Sequence, residues 1–389
     1  MCDCRNPTGG RKVVQPVAWL CITRSTNAHG RRIVGSLRIA HRLEGLPPYV
    51  PGRRPQGGET RRQARLASNE VPWPPQAAIV DAMKAALEDA HRYPDMQYTE
   101  LRDAIAAHTG QPSDRIAVAN GSTALLRDIV GVLVEAGSEV IFAQPSFPYY
   151  RTAAIANSAV PVAVPLVSHA HDLEAMHGAI TPRTRVIIIC NPNNPTGTAH
   201  TNAELKKFLA RVPGDIAVIL DEAYVEFATD VDGLELMEEH PNLIVVRTLS
   251  KAHGLAGLRI GYAIGDSEVM SYVSRLGVPF RIDSVAVAGA LAALQPEQVA
   301  ESELRIASIV KERAALTAAL RSRGWNVVES AANFVFLPLG ESTTSVAGAC
   351  EANGVLVRPI GGGIRVTVGS AEDTDHLLNA LPALSNEPC

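Results

Sequence analysis

Between residues 76 and 294 the chain alternates between two hydrophobic periods. Stretches 76–89, 99–108, 203–212 and 284–294 repeat apolar residues at three-to-four spacing, which lines one face of a helix. Between such stretches stand short unbroken apolar runs: 116–119, 185–190, 216–220 and 243–247. These runs are rich in β-branched residues and bounded by turn formers, so they predict strands buried on both faces of a sheet. Strand and helix patterns in alternation predict an α/β fold with a mostly parallel sheet and crossover helices. The pattern changes near residue 296. A long heptad-like helical stretch covers 301–323, and strands are expected at 333–339, 355–358 and 364–368. At 389 residues the chain is long for one compact domain. The expected organisation is an N-terminal arm over 37–75 packing on the small domain, a large domain over 76–295, and a smaller α+β domain over 296–389. No internal repeat is evident.

Four of the apolar runs end in residues that carry chemistry. After 243–247 comes Thr248-Leu249-Ser250-Lys251-Ala252-His253-Gly254-Leu255-Ala256-Gly257-Leu258-Arg259. A lysine leaving a strand into a glycine-rich turn can be held in a cleft, where lost solvation depresses its pKa and makes it a Schiff-base former. The alternative is a solvated lysine in a turn. An aldehyde cofactor is implied. Were it pyridoxal phosphate, Ser250 and Arg259 would supply a hydroxyl and a cation for its phosphate. Run 185–190 opens into Asn191-Pro192-Asn193-Asn194-Pro195-Thr196-Gly197, a loop stiffened by two prolines that can aim the Asn194 carboxamide at a ring hydroxyl. Run 216–220 ends in Asp221-Glu222-Ala223-Tyr224, at the sheet edge where ligands of open α/β sheets bind. Asp221 there either caps the next segment or keeps a pyridine nitrogen protonated, and Tyr224 could share the ring oxygen with Asn194. Run 116–119 leads through Asn120-Gly121-Ser122-Thr123 into a helical stretch, where free N–H groups either bind phosphate or take a simple N-cap.

In that order these motifs resemble the class I/II aminotransferases, and most closely the histidinol-phosphate and aromatic amino acid aminotransferase group. The resemblance runs from about Leu43 to the C-terminal helix and includes Leu66-Ala67-Ser68-Asn69-Glu70, Arg92-Tyr93-Pro94-Asp95, Ala332-Asn333-Phe334 and Ile364-Arg365-Val366-Thr367-Val368-Gly369. It implies the aspartate-aminotransferase-like fold type I and pyridoxal 5'-phosphate as cofactor. By resemblance, Lys251 carries the cofactor as a Schiff base and moves the proton. Asp221 pairs with the pyridine nitrogen, and Asn194 and Tyr224 hold the ring oxygen. Ser122, Thr123, Ser250 and Arg259 bind the phosphate, and Phe147 stacks on the ring. Tyr93 reaches the phosphate of a neighbouring subunit's cofactor, which makes a homodimer the expected unit. Arg365 and Arg358 match the cations that receive the substrate's anionic group, and Tyr49 matches a residue that covers the substrate.

Both a carboxylate and a phosphate suit a planar guanidinium, so the arginines do not choose the donor. Other positions pull in opposite directions. The short 359–364 connection, and 334–341, resemble the aromatic branch, whereas Phe147-Pro148-Tyr149-Tyr150 resembles the histidinol-phosphate branch. Thr123 stands where an acid is usual, Phe147 where tyrosine is common, and His253 where the group more often has an aromatic residue. A packing role is expected for His253. The expected activity is transfer of an amino group from an aromatic L-amino acid to 2-oxoglutarate. The alternative donor is L-histidinol phosphate, and a lyase or decarboxylase on the same fold ranks behind both.

Charge and composition narrow the classes further. A net charge of −4 with no basic stripe argues against nucleic acid as a partner. The histidines show no metal-ligand spacing, and His169 and His171 are expected in a solvated loop. Residues 1–36 are basic, lie outside the resemblance and are expected to be a disordered tail or a mis-assigned start; the apolar piece at 13–22 is broken by Gln15 and Pro16, so no membrane span is expected. Cys2 and Cys4 lack the spacing of a zinc or redox pair, and the later cysteines are scattered, which fits a reducing cytoplasm.

Overall fold

The computed structural model describes residues 33–34, 37–46, 48–50, 52 and 63–383, so the tail assigned to 1–36 lies outside the described residues except for Ile33–Val34. The chain divides into two units, 1–45 and 46–389. In the first, Ile33–Val34 pairs antiparallel with Leu37–Arg38, and a 3-10 turn follows at His41–Leu43.

In the second unit, the four apolar runs become strands of a seven-stranded sheet, joined by three strands that the run pattern does not predict. Its strands are β1 (Ile116–Ala119), β2 (Glu139–Gln144), β3 (Val160–Pro165), β4 (Thr184–Cys190), β5 (Ala217–Asp221), β6 (Leu243–Thr248) and β7 (Gly261–Ile264). The spatial order is β1-β7-β6-β5-β4-β2-β3. All neighbours are parallel except β7, which runs antiparallel to both β1 and β6. Side chains alternate between the two faces, as strand geometry requires. On one face Ile141, Ile187, Ile189, Val218 and Val245 pack beneath helices α1 (Ala77–Ala86), α2 (Thr99–Thr109), α6 (Asn202–Leu209) and α8 (Ser284–Ala293). On the other, Phe142, Val186, Ile188, Ile219 and Val246 meet α3 (Ser122–Leu133), α4 (Tyr149–Ala156) and α7 (Ser267–Leu276). A short α5 (Leu173–Gly178) completes the crossovers. Burial of both faces explains why β1, β4, β5 and β6 read as unbroken apolar runs, whereas the edge strand β3 is mostly half-buried or exposed.

Helix α9 (Pro296–Ser322) is longer than the heptad pattern from residue 301 predicts. Pro296 occupies the first turn, where its fixed φ suits a helix start and its missing N–H costs nothing, so the first turn carries no apolar signature. Helix α6 stops at Leu209 rather than 212, ahead of Pro213 and Gly214. Beyond α9, an antiparallel sheet of β8 (Phe334–Pro338), β9 (Arg358–Ile360) and β10 (Gly363–Thr367) has the order β8-β10-β9. Leu316 and Leu320 of α9 share a core with Phe334, Val335, Ile364 and Val366, closed by α10 (Thr343–Ala352) and α11 (Ala371–Ala380). Ala64–Arg65 pairs in parallel with Val355–Leu356, and Thr367 N–H donates to Leu66 O at 2.9 Å. This tie carries residues 66–69 across the ends of β8 and β10. Tyr224, Phe227 and Ala252 belong to the same core, so the loops after β5 and β6 are anchored on it. Among the described residues no helix is long and apolar enough to cross a membrane.

Candidate active site

Strand register sets the site. Asp221, the last residue of β5, lies opposite Cys190, the last of β4, and opposite Val246 of β6. Strands β4 and β5 therefore end level, β6 runs two residues further to Thr248, and their loops open on one side. A pocket of about 220 Å³ lies there, lined by Ser122, Thr123, Phe147, Asn194, Asp221, Tyr224, Ser250, Lys251 and Arg259 from the large sheet's loops. Tyr49, Arg358 and Arg365 complete it from the arm and the small sheet. Tyr93 is absent from this lining. It is 81% exposed and stacks on Phe280, ring centroids 4.4 Å apart.

Lys251 Nζ donates to Ser68 O at 3.1 Å and lies 6.0 Å from the centre of the Tyr224 ring. Burial, then the charge of Arg365, lowers its pKa to about 7. Asp221 shifts the other way. Burial raises its carboxyl to about 6, opposed by the Tyr150 hydroxyl and the Ala223 N–H, which both donate to it. Tyr150 Oη reaches Asp221 Oδ2 at 2.7 Å.

Arg365 is buried and spans the pocket wall. Its Nη1 donates to Asn194 Oδ1 at 2.6 Å and its Nη2 to Ala67 O at 2.7 Å, while Nε is buried without a partner. Tyr224 Oη accepts from Asn69 Nδ2 at 2.9 Å, which leaves its own hydrogen free to donate. Asn69 holds this position with φ of 54°, locked by its N–H to Thr367 Oγ1 and by Asn333 Nδ2 to its carbonyl. Arg358 Nη2 donates to Val50 O.

At the start of α3 no side chain caps the helix. Its N-cap, Gly121, has φ of 78°, and a Cβ there would collide with the Arg259 guanidinium. The uncapped N–H groups and the arginine thus stand side by side, which is the arrangement that receives a phosphate. Arg259 Nη1 also donates to Ser250 Oγ at 3.1 Å. Gly261 of β7 allows this approach, since any Cβ would strike the Ser122 backbone nitrogen.

The Asn194 loop is held from behind by Asn193, whose carboxamide accepts from Ser146 Oγ at 2.7 Å and donates to Thr196 Oγ1 at 2.8 Å. His171, expected in solvent, is instead buried against Asn193 Oδ1 at 3.1 Å. Its loop folds back over the Asn194 turn, a tertiary contact that a polar local sequence does not reveal. His253 packs edge-on to His108 at 6.1 Å outside the pocket lining, and burial lowers its pKa to about 4. Among the described residues no group of three or more His, Cys, Asp or Glu could hold a metal ion.

Asn69 and Tyr150 are the site residues that sequence reasoning left without a role. A signal existed for Tyr150: it lies three residues after Phe147 across a helix start, the spacing that brings two side chains together, and the two rings meet edge to face at 5.6 Å. Asn69 had only its place in a matched motif.

Residues 61–381 match the family described as aminotransferase class I and II. An aromatic amino acid aminotransferase from Streptomyces coelicolor is 45% identical over 359 residues, covering 90% of this chain and 99% of that protein. One from Mycobacteroides abscessus is 44% identical over 344 residues, covering 88% of this chain and 97% of its own. Among solved structures, histidinol-phosphate aminotransferase from Sinorhizobium meliloti in complex with pyridoxal-5'-phosphate superposes with a TM-score of 0.75 at 28% identity, covering 83% of this chain and 91% of that one. Aspartate aminotransferase from Thermus thermophilus with maleate, at 23% identity and a TM-score of 0.73, shares the fold over 82% of this chain and 91% of its own. The sheet order, the strand-end pocket and these likenesses together make the fold aspartate-aminotransferase-like, of fold type I, and the chain belongs to the class I and II aminotransferases.

Proposed function

We propose that the chain is a pyridoxal-phosphate-dependent transaminase that moves the amino group of an aromatic L-amino acid to 2-oxoglutarate. The observation that carries this reading is the convergence of Lys251, Asp221 and Arg365 on one pocket beside an uncapped helix start. The relatives' name, aromatic amino acid aminotransferase, supports the choice of donor.

The pocket's own chemistry fits the cofactor. The α3 N–H groups with Ser122, Thr123, Ser250 and Arg259 would hold the phosphate, Asn194 and Tyr224 the ring oxygen, Asp221 the ring nitrogen, and Phe147 the ring face. When bound, pyridoxal phosphate supplies an aldehyde that joins to amines and a ring that accepts the electron pair left when a substrate carbon loses its proton. The chain's residues do the rest. With its pKa near 7, a substantial share of the Lys251 amine is neutral near neutral pH, and it can take a proton at one atom and return it at another. Asp221 is anionic above about pH 6 and can keep a facing nitrogen protonated. Arg365 lines the pocket and has Nη hydrogens beyond the two given to Asn194 and Ala67, directional donors that suit a carboxylate.

Each guanidinium carries five N–H groups, so the bonds of Arg365 to Asn194 and Ala67 and of Arg358 to Val50 leave donors for a substrate anion, and the choice of amino donor rests on the pocket's apolar wall. Tyr49, Pro148 and Ile360 give an aromatic ring apolar wall to lie against, which favours an aromatic donor. The second reading is L-histidinol phosphate, favoured by two guanidiniums lining one pocket.

The reading extends to a homodimer. Tyr93 and Phe280 form an exposed stacked pair flanked by exposed Met96 and Val278, an apolar patch suited to a second copy. Buried free thiols at Cys190 and Cys350 fit a cytoplasmic location.

Three outcomes are expected. In a half-reaction titration of cofactor-loaded protein, L-phenylalanine and L-tyrosine convert the cofactor absorbance, and L-histidinol phosphate does so at least about tenfold less efficiently, a margin of ~1.4 kcal/mol. The reverse order would assign the second reading, and carbon dioxide release without consumption of 2-oxoglutarate would contradict transamination. The Lys251 pKa carries a stability signature in cofactor-free protein. Because the folded state favours the neutral amine, unfolding takes up a proton between about pH 7 and the ordinary lysine value of 10.5. The contribution of this group to stability therefore rises with pH across that window and is lost as pH falls to about 7. Urea midpoints of wild type relative to Lys251→Met should climb from pH 7 to 10, and parallel profiles would contradict the shift. Sedimentation velocity should give twice the 41.4 kDa chain mass, and a fully active monomer would overturn the dimer.

A further inference from the structure

Asp221 is nearly inaccessible, and two donors reach its carboxylate. One is the Ala223 N–H, at 3.3 Å from Oδ1, a long contact set by the turn after β5. The other is the Tyr150 phenol, at 2.7 Å from Oδ2 and itself fully buried in the first turn of α4. The Tyr150 ring is fixed between Phe142 of β2, at 6.2 Å, and Phe147, at 5.6 Å. Its hydroxyl therefore has a defined place. Tyr150 does not line the pocket; it stands behind Asp221. Burial and the nearby Asp221 charge push its phenol well above the ordinary range, so it stays a proton donor at every working pH. Cys190 also lies beside the carboxylate, but its thiol donates to Pro192 O at 3.4 Å.

A phenol hydrogen bond to a buried carboxylate favours the charged form of the acid. We propose that Tyr150 is a positioning residue: by donating to Asp221 it keeps that carboxylate a weak base, so that the shared proton rests on the cofactor's ring nitrogen rather than on the acid. The proposal depends on the pyridoxal-phosphate reading above. It gives Tyr150 a function in the electronics of the ring, apart from its packing. Without the phenol, Asp221 becomes more basic and draws the proton to itself, and the ring loses much of its capacity to accept electrons.

The test uses holoenzyme loaded with pyridoxal phosphate labelled with ¹⁵N in the ring. In Tyr150→Phe, which removes only the hydroxyl, the ring ¹⁵N shift should move from the protonated toward the neutral-pyridine value. Turnover number should fall about 10- to 100-fold, as loss of a charged hydrogen bond implies, with KM little changed. In an Asp221→Asn background the same substitution should change neither quantity further, because the two residues act as one unit. A Tyr150→Phe holoenzyme with wild-type ¹⁵N shift and turnover would overturn the proposal. So would an equal loss in the Asp221→Asn background, which would assign Tyr150 a packing role. A wild-type protein that takes up no pyridoxal phosphate would instead overturn the underlying reading, and this proposal with it.

Discussion

Four cationic side chains, Lys251, Arg259, Arg358 and Arg365, line one pocket with a single carboxylate, Asp221, among the described residues. In a site with little water, charges of one sign repel strongly, and a protein relieves the repulsion by neutralising the group most able to lose a proton. Arginine does not deprotonate; lysine does. Burial first, then Arg365 and Arg259, brings the Lys251 pKa down to about 7, and the positive charge of the arginines suits a ligand bearing a phosphate and a substrate bearing a carboxylate.

The fold builds this imbalance from separate pieces. Parallel strands β4 and β5 end level and β6 two residues further on, which sets Asp221 deep and brings Lys251 to the same pocket. The antiparallel strand β7 brings Gly261 against the start of α3, so that Arg259 and the helix N–H groups meet. Arg365 arrives from the small sheet, and the hydrogen bond between Thr367 and Leu66 keeps residues 66–69 across the pocket. Loss of any one tie would move a charge or a donor without opening the main core. This separation of core from site is what allows the site to hold costly buried polar groups.

Much of this was legible in the sequence. Strands β1, β4, β5 and β6 were legible because both their faces are buried, and the chemistry stood where these runs broke into polar residues, at Asn194, Asp221 and Lys251; β2, β3 and β7 were not read, and β3 lies at the sheet edge with its side chains mostly half-buried or exposed. What stayed hidden is pairing between distant segments. Asn69 and Tyr224 are 155 residues apart, and Tyr150 and Asp221 are 71 apart; neither pair leaves a local pattern. His171 looked solvated because its neighbours in sequence are polar, yet it packs on Asn193 through the fold. The first turn of α9 was missed because Pro296 starts a helix through backbone geometry and not through hydrophobic period. Tyr93 is a different case. Its expected partner is another copy of the chain, and within one chain it is an exposed ring stacked on Phe280.

The central claim is that Lys251 is the amine that takes the cofactor. Borohydride reduction of protein loaded with pyridoxal phosphate, followed by peptide mass spectrometry, tests it most directly. The account predicts one pyridoxyl group per chain, on Lys251. A group on any other lysine, or none in protein that has taken up the cofactor, would contradict it.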